Sequence, residues 1–514
     1  MNVAGNLEKA TRFFPGAKAV IDGQTELTFA QLNRRSNRTA AALASLGLEP
    51  GDHVALCAPN SYRWLVFYFG VLKAGGVVVT VSHLLKPREL AHILSDCRPR
   101  ILFTRPETVQ ELGHDLKGHG IQHVVTTENG PMPFERLLTK GADEYLCADR
   151  DRRDTAAILY TGGTTGTPKG ARLSHANIQF SAHNIAYYER SKAADRVLCF
   201  LPLNHVFAQI HIMQATVYSA GCLVMLPGFD LDAVLTAIRK HRVTRFYAVP
   251  TIYIRLLELP NLKERLSSVR YCFSAAASMA MEVVKEWKAR TGLDIYEAYG
   301  MTESAAMVTY NHYYRHVVGS VGTPVNLVEV KIVDVTGKPL PRGERGEICI
   351  RGPNIMQAYL NNEKETAAAM QGEWFRSGDI GYLDPDGYLF IVDRLKDMII
   401  TGGENVYPRE VEEVLYGLPE VQECAVVGLP DSEYGERVTA YIVPNKGCRI
   451  DPERLRTQLK RHLSAYKVPR AYVSVASLPK TNAGKILKRE IRSQFSTAAD
   501  GPVQTGPDES SRGI

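Results

Sequence analysis

Ten residues, Thr161, Gly162, Gly163, Thr164, Thr165, Gly166, Thr167, Pro168, Lys169 and Gly170, follow an apolar run from Ala156 to Tyr160. The run reads as a buried strand. Glycines let backbone N–H groups approach an anion, hydroxyls donate to phosphate oxygens, and a lysine adds a mobile positive charge. The segment therefore reads as a loop that holds a polyphosphate, and its order of residues constrains the fold around it. A P-loop needs Gly-Lys-Ser/Thr opening a helix, so that phosphate sits on the helix N-terminus. Here Pro168 precedes the lysine, Gly170 follows it, and Ala171-Arg172-Leu173 reads as a second short strand before a helix cap at Ser174. Strand–loop–strand is expected, which disfavours a P-loop ATPase or kinase. A flexible linker is the plain alternative, but linkers rarely carry Pro-Lys-Gly between two apolar strands.

Alternation continues on both sides of this loop. Thr28-Phe29-Ala30-Gln31 has the form of a capping box opening a helix that ends near Gly47. A strand over 53–57, a helix over 62–73 and a strand over 77–80 follow. Strands are then expected over 101–104, 124–127, 197–201, 223–226 and 246–249, with a helix over 232–241. Strands alternating with helices point to parallel sheets in an α/β fold. From about residue 328 the rhythm changes to strands over 329–333, 347–351 and 388–392. Turns such as Pro341-Arg342-Gly343 and Asp384-Pro385-Asp386-Gly387 separate them. A β-rich subdomain, read as a distorted barrel, is expected there.

At 514 residues the chain has room for more than one domain. Its large N-terminal domain, mixed α/β with a β-barrel subdomain, is expected over 1–395. A small mobile α+β domain is expected over 396–495, with a hairpin around Gly402-Gly403, helices over 410–416 and 453–463, and strands over 423–427, 438–443 and 472–475. Residues 496–514, rich in Gly, Ser, Pro and Asp, read as a disordered tail. Nine scattered cysteines without a CxxC spacing argue against a metal-thiolate site and for a reducing, cytoplasmic compartment. The most apolar stretch, 64–81, is interrupted by Lys73, Gly75 and Gly76, so no transmembrane segment is expected. A net charge of +6 is too mild to imply nucleic acid.

Three further segments carry chemistry. Tyr296-Glu297-Ala298-Tyr299-Gly300-Met301-Thr302-Glu303 follows a strand-like stretch, and ligands of open α/β sheets bind at the strands' carboxyl ends. A tyrosine there can stack on a base, a threonine can bind phosphate and a glutamate can hold Mg²⁺. Asp379, with Arg394 fifteen residues on, offers a carboxylate for a ribose diol and a guanidinium for ribose or phosphate oxygens. Lys485, in Pro479-Lys480-Thr481-Asn482-Ala483-Gly484-Lys485, sits on a glycine-containing loop that could deliver it to a phosphate. Taken singly, these could be a structural turn, a salt bridge and an exposed lysine.

In this order and spacing the four segments resemble the adenylate-forming superfamily of acyl-CoA synthetases, firefly luciferase and nonribosomal-peptide adenylation domains. The resemblance runs from Thr28 to about Arg492. It implies ATP, Mg²⁺ and coenzyme A as cofactors, with residues 161–170 on the β- and γ-phosphates. Tyr299 would stack on adenine, with Ala276, Glu297 and Gly300 beside it. Thr302 would contact the α-phosphate, Glu303 the metal, Asp379 the ribose and Arg394 its partner. Lys485 would bridge carboxylate and α-phosphate during adenylation. Lys396 falls at the hinge, where many members carry Asp. Rotation there would exchange Lys485 for the loop Gly402-Gly403-Glu404, against which pantetheine would lie. Tyr434 matches a position that stacks on the CoA adenine, and Lys467 and Arg470 match positions facing its phosphates. His205 matches the gate beside the acyl site, next to Ser274-Ala275-Ala276-Ala277-Ser278.

The resemblance therefore implies an acid–thiol ligase that forms acyl-AMP and pyrophosphate, then transfers the acyl group to CoA. The alternative acceptor is a carrier-protein thiol. No arginine is placed to pair with a second carboxylate, so the acid expected is apolar: a medium- or long-chain fatty acid, or a bulky alicyclic or aryl acid. The partners are small molecules, and a homodimer is one arrangement the chain would allow.

Overall fold

Local chemistry starts the elements where the sequence marks them. In the computed structural model, which describes residues 1–495 apart from 114, 115, 117, 162–167, 278 and 482–484, Thr28 caps the helix Phe29–Ser45. Its hydroxyl accepts from the Gln31 N–H while the Gln31 side chain accepts from Thr28, the reciprocal box that satisfies two orphan donors. Ser174 and Asn177 do the same for the helix His175–Tyr188. The helix Tyr62–Lys73 buries every residue except Arg63 and packs against Phe29–Ser45.

Two seven-stranded sheets make the large α/β body. One runs in the order Ala358–Tyr359, Lys169–Ser174, Thr155–Thr161, Val77–Thr80, His53–Cys57, Ile101–Thr104, His123–Thr126. The other runs Ile295–Glu297, Tyr271–Ser274, Arg245–Ala248, Arg196–Cys199, Cys222–Met225, Lys18–Asp22, Thr25–Thr28. Most of these strands pair in parallel, and several are buried along their whole length, as strands covered on both faces must be. Thr155–Thr161 and Lys169–Ser174 pair antiparallel, so the glycine–threonine segment does join strand to strand.

The β-rich region departs from expectation. Glu329–Val333, Gly346–Arg351, Trp374–Leu383, Met370–Gln371 and Leu389–Arg394 form an open five-stranded antiparallel sheet rather than a closed barrel. Trp374–Leu383 is long enough, at 10 residues, to pair with three neighbours at different points along its length. Among the described residues no strand pairing closes the remaining edges.

From Ile399 the apolar residues pack among themselves. Ile399, Val406, Val411, Leu415, Val426 and Ile442 belong to one core, and Val427, Tyr441, Leu478 and Ile491 to another, neither shared with the large body. Here Ile399–Thr401 and Glu404–Val406 form a hairpin, and Val421–Asp431 pairs with Gly435–Pro444 in longer strands than the sequence suggested. The basic helix ends at Leu459, earlier than expected, leaving Lys460 and Arg461 beyond it. The expected disordered tail, 496–514, lies outside the described residues. Among the described residues no helix is long and apolar enough to cross a membrane.

Candidate active site

The carboxyl ends of two neighbouring strands open the site. Ser274 and Glu297 are opposite each other at the ends of Tyr271–Ser274 and Ile295–Glu297. Beyond Ser274 the chain turns through Ala276, a non-glycine residue at φ 70. Met279 then donates its N–H to Glu297 Oε1 at 3.4 Å. Glu297 Oε2 is buried without a partner, and burial pushes the carboxyl up to about 7 against the opposing charge of Arg409. Gly300 lies where two backbone segments cross: a Cβ there would stand 2.0 Å from the Ala306 carbonyl oxygen. No side chain fits that approach.

Tyr299 and Asp379, eighty positions apart, meet in the interior. The Tyr299 hydroxyl donates to Asp379 Oδ2 at 2.6 Å, and both residues are buried. Burial and the Asp379 charge hold that phenol well above its usual range, so it stays a donor. Asp379 also faces Arg394 across the antiparallel ladder, with Arg394 Nε 3.3 Å from Oδ1. The charge of Glu303 reaches Arg394 as well and favours its cationic form.

Lys485 lies within electrostatic reach of Arg394 and Asp379. Its N–H donates to Thr481 Oγ1 at 3.1 Å, and its carbonyl accepts from the Thr481 N–H at 2.7 Å. Burial, with Arg394 and Lys396 adding repulsion, pulls the ammonium down to about 8, while Asp379 opposes the fall. His205 is held neutral, near 4, by burial and by the Lys485 charge. Consistently, its Nδ1 accepts from the Phe207 N–H at 3.3 Å. Lys396 lies in the short turn Leu395–Asp397 joining the two bodies.

A second group flanks the glycine–threonine loop. Thr302 and Glu303 occupy the tight turn Thr302–Ser304, fixed by the Met356 N–H donating to the Glu303 carbonyl at 2.7 Å. The Tyr359 hydroxyl donates to Glu303 Oε1 at 2.8 Å. Lys169 sits 5.4 Å above the Tyr359 ring and pairs with Glu365. Thr161, Pro168 and Lys169 are in place at the two strand ends, whereas Gly162, Gly163, Thr164, Thr165, Gly166 and Thr167 lie outside the described residues. A carboxylate with a single hydroxyl partner suits a hard cation that takes oxygen ligands, so Glu303 fits Mg²⁺.

The remaining expected residues cluster apart. Gly402 and Gly403, at φ 60 and 84, make the two-residue turn of the hairpin, which needs left-handed backbone at both positions. They are exposed, as is Glu404. The Gly402 N–H donates to the Tyr434 carbonyl at 2.8 Å, and the Arg470 guanidinium lies 3.5 Å over the Tyr434 ring. Lys467 Nζ is 2.6 Å from Glu410, which also pairs with Arg345 of the large body. Among the described residues no hydrogen bond or ion pair joins Gly402, Gly403, Tyr434 or Arg470 to Tyr299, Asp379 or Lys485.

Sequence reading missed Tyr359 and Glu365. Lys169 and Glu365 are 196 positions apart, and only the pairing of Ala358–Tyr359 with Lys169–Ser174 brings them together. No local pattern signals it.

This arrangement has close counterparts. A model of the AMP-binding enzyme family matches residues 7–360, and one of the AMP-binding enzyme C-terminal domain matches residues 410–485. The chain is 37% identical over 497 residues to a feruloyl-CoA synthase of an Amycolatopsis species, covering 95% of this chain and 98% of that one. It is 35% identical over 518 residues to a long-chain-fatty-acid–CoA ligase of Bacillus subtilis, covering 93% and 92%. The crystal structure of ATP-bound MatB from Rhodopseudomonas palustris superposes with a TM-score of 0.91 at 33% identity, over 97% of this chain and 100% of that one.

Proposed function

The chain belongs to the AMP-binding enzyme family, and on that premise we propose which residues carry its chemistry and which acids it takes. It is an AMP-forming acid–thiol ligase using ATP, Mg²⁺ and coenzyme A. A carboxylate oxygen attacks the α-phosphorus of ATP, the bond to the β-phosphate breaks, and pyrophosphate leaves. The CoA sulfur then bonds to the acyl carbon, the thiol proton is lost, and AMP departs.

In the first step Asp379 grips the ribose diol with Arg394 beside it, Tyr299 backs the adenine, and residues 161–169 hold the terminal phosphates. Thr302 donates to the α-phosphate. Glu303 would hold Mg²⁺, which would supply neutralising charge for the phosphates. Lys485 places its ammonium between the carboxylate and the α-phosphate, where negative charge develops. The observation that carries this reading is the meeting of Tyr299 and Arg394 at Asp379, with Lys485 within electrostatic reach of Asp379 and Arg394.

Residues 1–395 and 396–495 act as two domains turning about Lys396. The separate cores on either side of the Leu395–Asp397 turn support this division. After adenylation, rotation withdraws Lys485 and brings Gly402-Gly403-Glu404 to the acyl carbonyl, with Tyr434, Arg470 and Lys467 toward CoA. Gly403 tests the second half. A Cβ there meets nothing within 4 Å, so Gly403→Leu should fold, at ~1–2 kcal/mol for the left-handed backbone. It is expected to cut thioester formation from preformed acyl-adenylate by ~100-fold through a blocked pantetheine path, while pyrophosphate release stays intact. Normal thioester formation in the variant would remove the loop from the mechanism.

The acid is apolar, and aryl acids fit first. Beyond His205 the chain forms the π-helix Phe207–Gln214, all of it buried. Its Phe207 ring lies 5.8 Å from Phe273 and 6.4 Å from Tyr247, an aromatic wall next to Ser274 and Ala275. Relatives named for ferulate and for long-chain fatty acids support the same chemistry. Pyrophosphate release with CoA should be fast for cinnamate- or benzoate-type acids, slower for dodecanoate and negligible for malonate. Preference for malonate would sink the apolar assignment. Nine unpaired cysteines support a reducing, cytoplasmic setting.

A further inference from the structure

The lysine of the phosphate loop already has an anion. Lys169 opens its strand with a side chain only 10% exposed, and it pairs with Glu365, 34% exposed. Glu365 lies in the first turn of the helix Glu363–Ala369, capped by Asn362, whose side chain accepts the Glu365 N–H at 3.1 Å. On its other side the ammonium faces the Tyr359 ring, whose hydroxyl is bonded to Glu303. Lys169 is therefore held between a carboxylate and a ring that also orients the proposed Mg²⁺ ligand.

The carboxylate is not needed to dock this helix. Ala358 and Tyr359 pair with Arg172 and Ala171, and the Leu360 N–H donates to the Gly170 carbonyl at 2.7 Å. The Thr366 hydroxyl accepts from the Tyr359 N–H at 3.0 Å and donates to the Asn362 carbonyl at 2.8 Å. Backbone pairing and Thr366 fix the position of the helix. That leaves Lys169 as the only described residue that the Glu365 side chain engages by hydrogen bond or ion pair.

We propose that Glu365 is a positioning residue that occupies Lys169 until the terminal phosphates of ATP displace it, and that recaptures the lysine as pyrophosphate leaves. This rests on the reading that residues 161–169 hold the β- and γ-phosphates. A carboxylate and a polyphosphate sharing one ammonium repel each other, so Glu365 weakens both ATP and pyrophosphate and keeps the product from lingering. AMP, lacking the terminal phosphates, is indifferent to it.

The test is equilibrium binding of Mg·ATP, pyrophosphate and AMP to the full-length protein, without acid or CoA. Glu365→Gln keeps size and hydrogen bonding while removing the charge. It should tighten ATP and pyrophosphate by about 5-fold at low salt, less at high salt, and leave AMP unchanged, which also reports that the variant is folded. In a Lys169→Ala background the same change should move ATP affinity less than about 2-fold, because the effect passes through the lysine. Weaker or unaltered ATP binding in Glu365→Gln, or equal tightening of AMP, overturns the proposal. Unchanged ATP binding in Lys169→Ala alone overturns the phosphate-loop reading beneath it, a separate result.

Discussion

Lys485→Ala is expected to slow acyl-adenylate formation by ~100- to 1,000-fold, the usual cost of removing one preorganised charge from a transition state. Thioester formation from preformed acyl-adenylate should be nearly untouched, because Lys485 serves only the first half-reaction. Pyrophosphate exchange and single-turnover transfer to CoA separate the two, and equal losses in both would contradict the assignment. The same ammonium predicts a pH dependence. Burial and Arg394 pull it down to about 8, so it is charged below that pH and loses its proton above. The kcat/KM for adenylation, which reports the free enzyme, should therefore fall on the alkaline side with a midpoint near 8. Lys485→Arg, which keeps its charge, should flatten that limb even if its maximum is lower. His205, held near 4, should contribute no titration between pH 6 and 8.

Asp379→Ala should raise KM for ATP by ~100-fold, equivalent to about 2.7 kcal/mol of lost binding. The ribose loses its carboxylate, and two protein groups lose theirs: the Tyr299 hydroxyl at 2.6 Å and the Arg394 guanidinium at 3.3 Å. Leaving a buried hydroxyl without its acceptor should also cost about 1–3 kcal/mol of stability, visible as a lower melting temperature. Asp379→Asn separates the effects. Its amide oxygen can still accept from Tyr299, so stability should largely return, while the affinity for ATP should not. An ATP KM unchanged in both variants would show that Asp379 serves only the interior of the protein.

Reading the chain succeeds where local rules suffice. Local rules placed the capping box at Thr28 and the helix cap at Ser174, since an N-cap hydroxyl and the residues just after it need no tertiary partner. Pro168 and Gly170 around Lys169 predicted strand–loop–strand, and the two strands pair antiparallel. The two-residue Gly402-Gly403 turn was likewise legible, because few residues tolerate consecutive left-handed positions.

Other features had no local signal. The Phe207–Gln214 stretch is continuously apolar or neutral and carries no sequence signal separating it from an ordinary helix, yet it winds as a buried π-helix. The strands expected as a distorted barrel after residue 328 form a five-stranded sheet in which one long strand, Trp374–Leu383, pairs with three partners. Lys467, proposed to turn toward CoA, pairs with Glu410 at 2.6 Å, a partner 57 positions away that no local pattern signals.

Residue order alone determined the capped helices and the strand–loop–strand order around Lys169, because each depends on neighbours a few positions away. Tertiary structure decided which side chains meet: Tyr299 with Asp379, Asp379 with Arg394, Lys169 with Glu365. Charges and hydrogen bonds act over a few ångströms of space whatever their separation along the chain, so partners 80 and 196 positions apart become visible only once the sheets have paired.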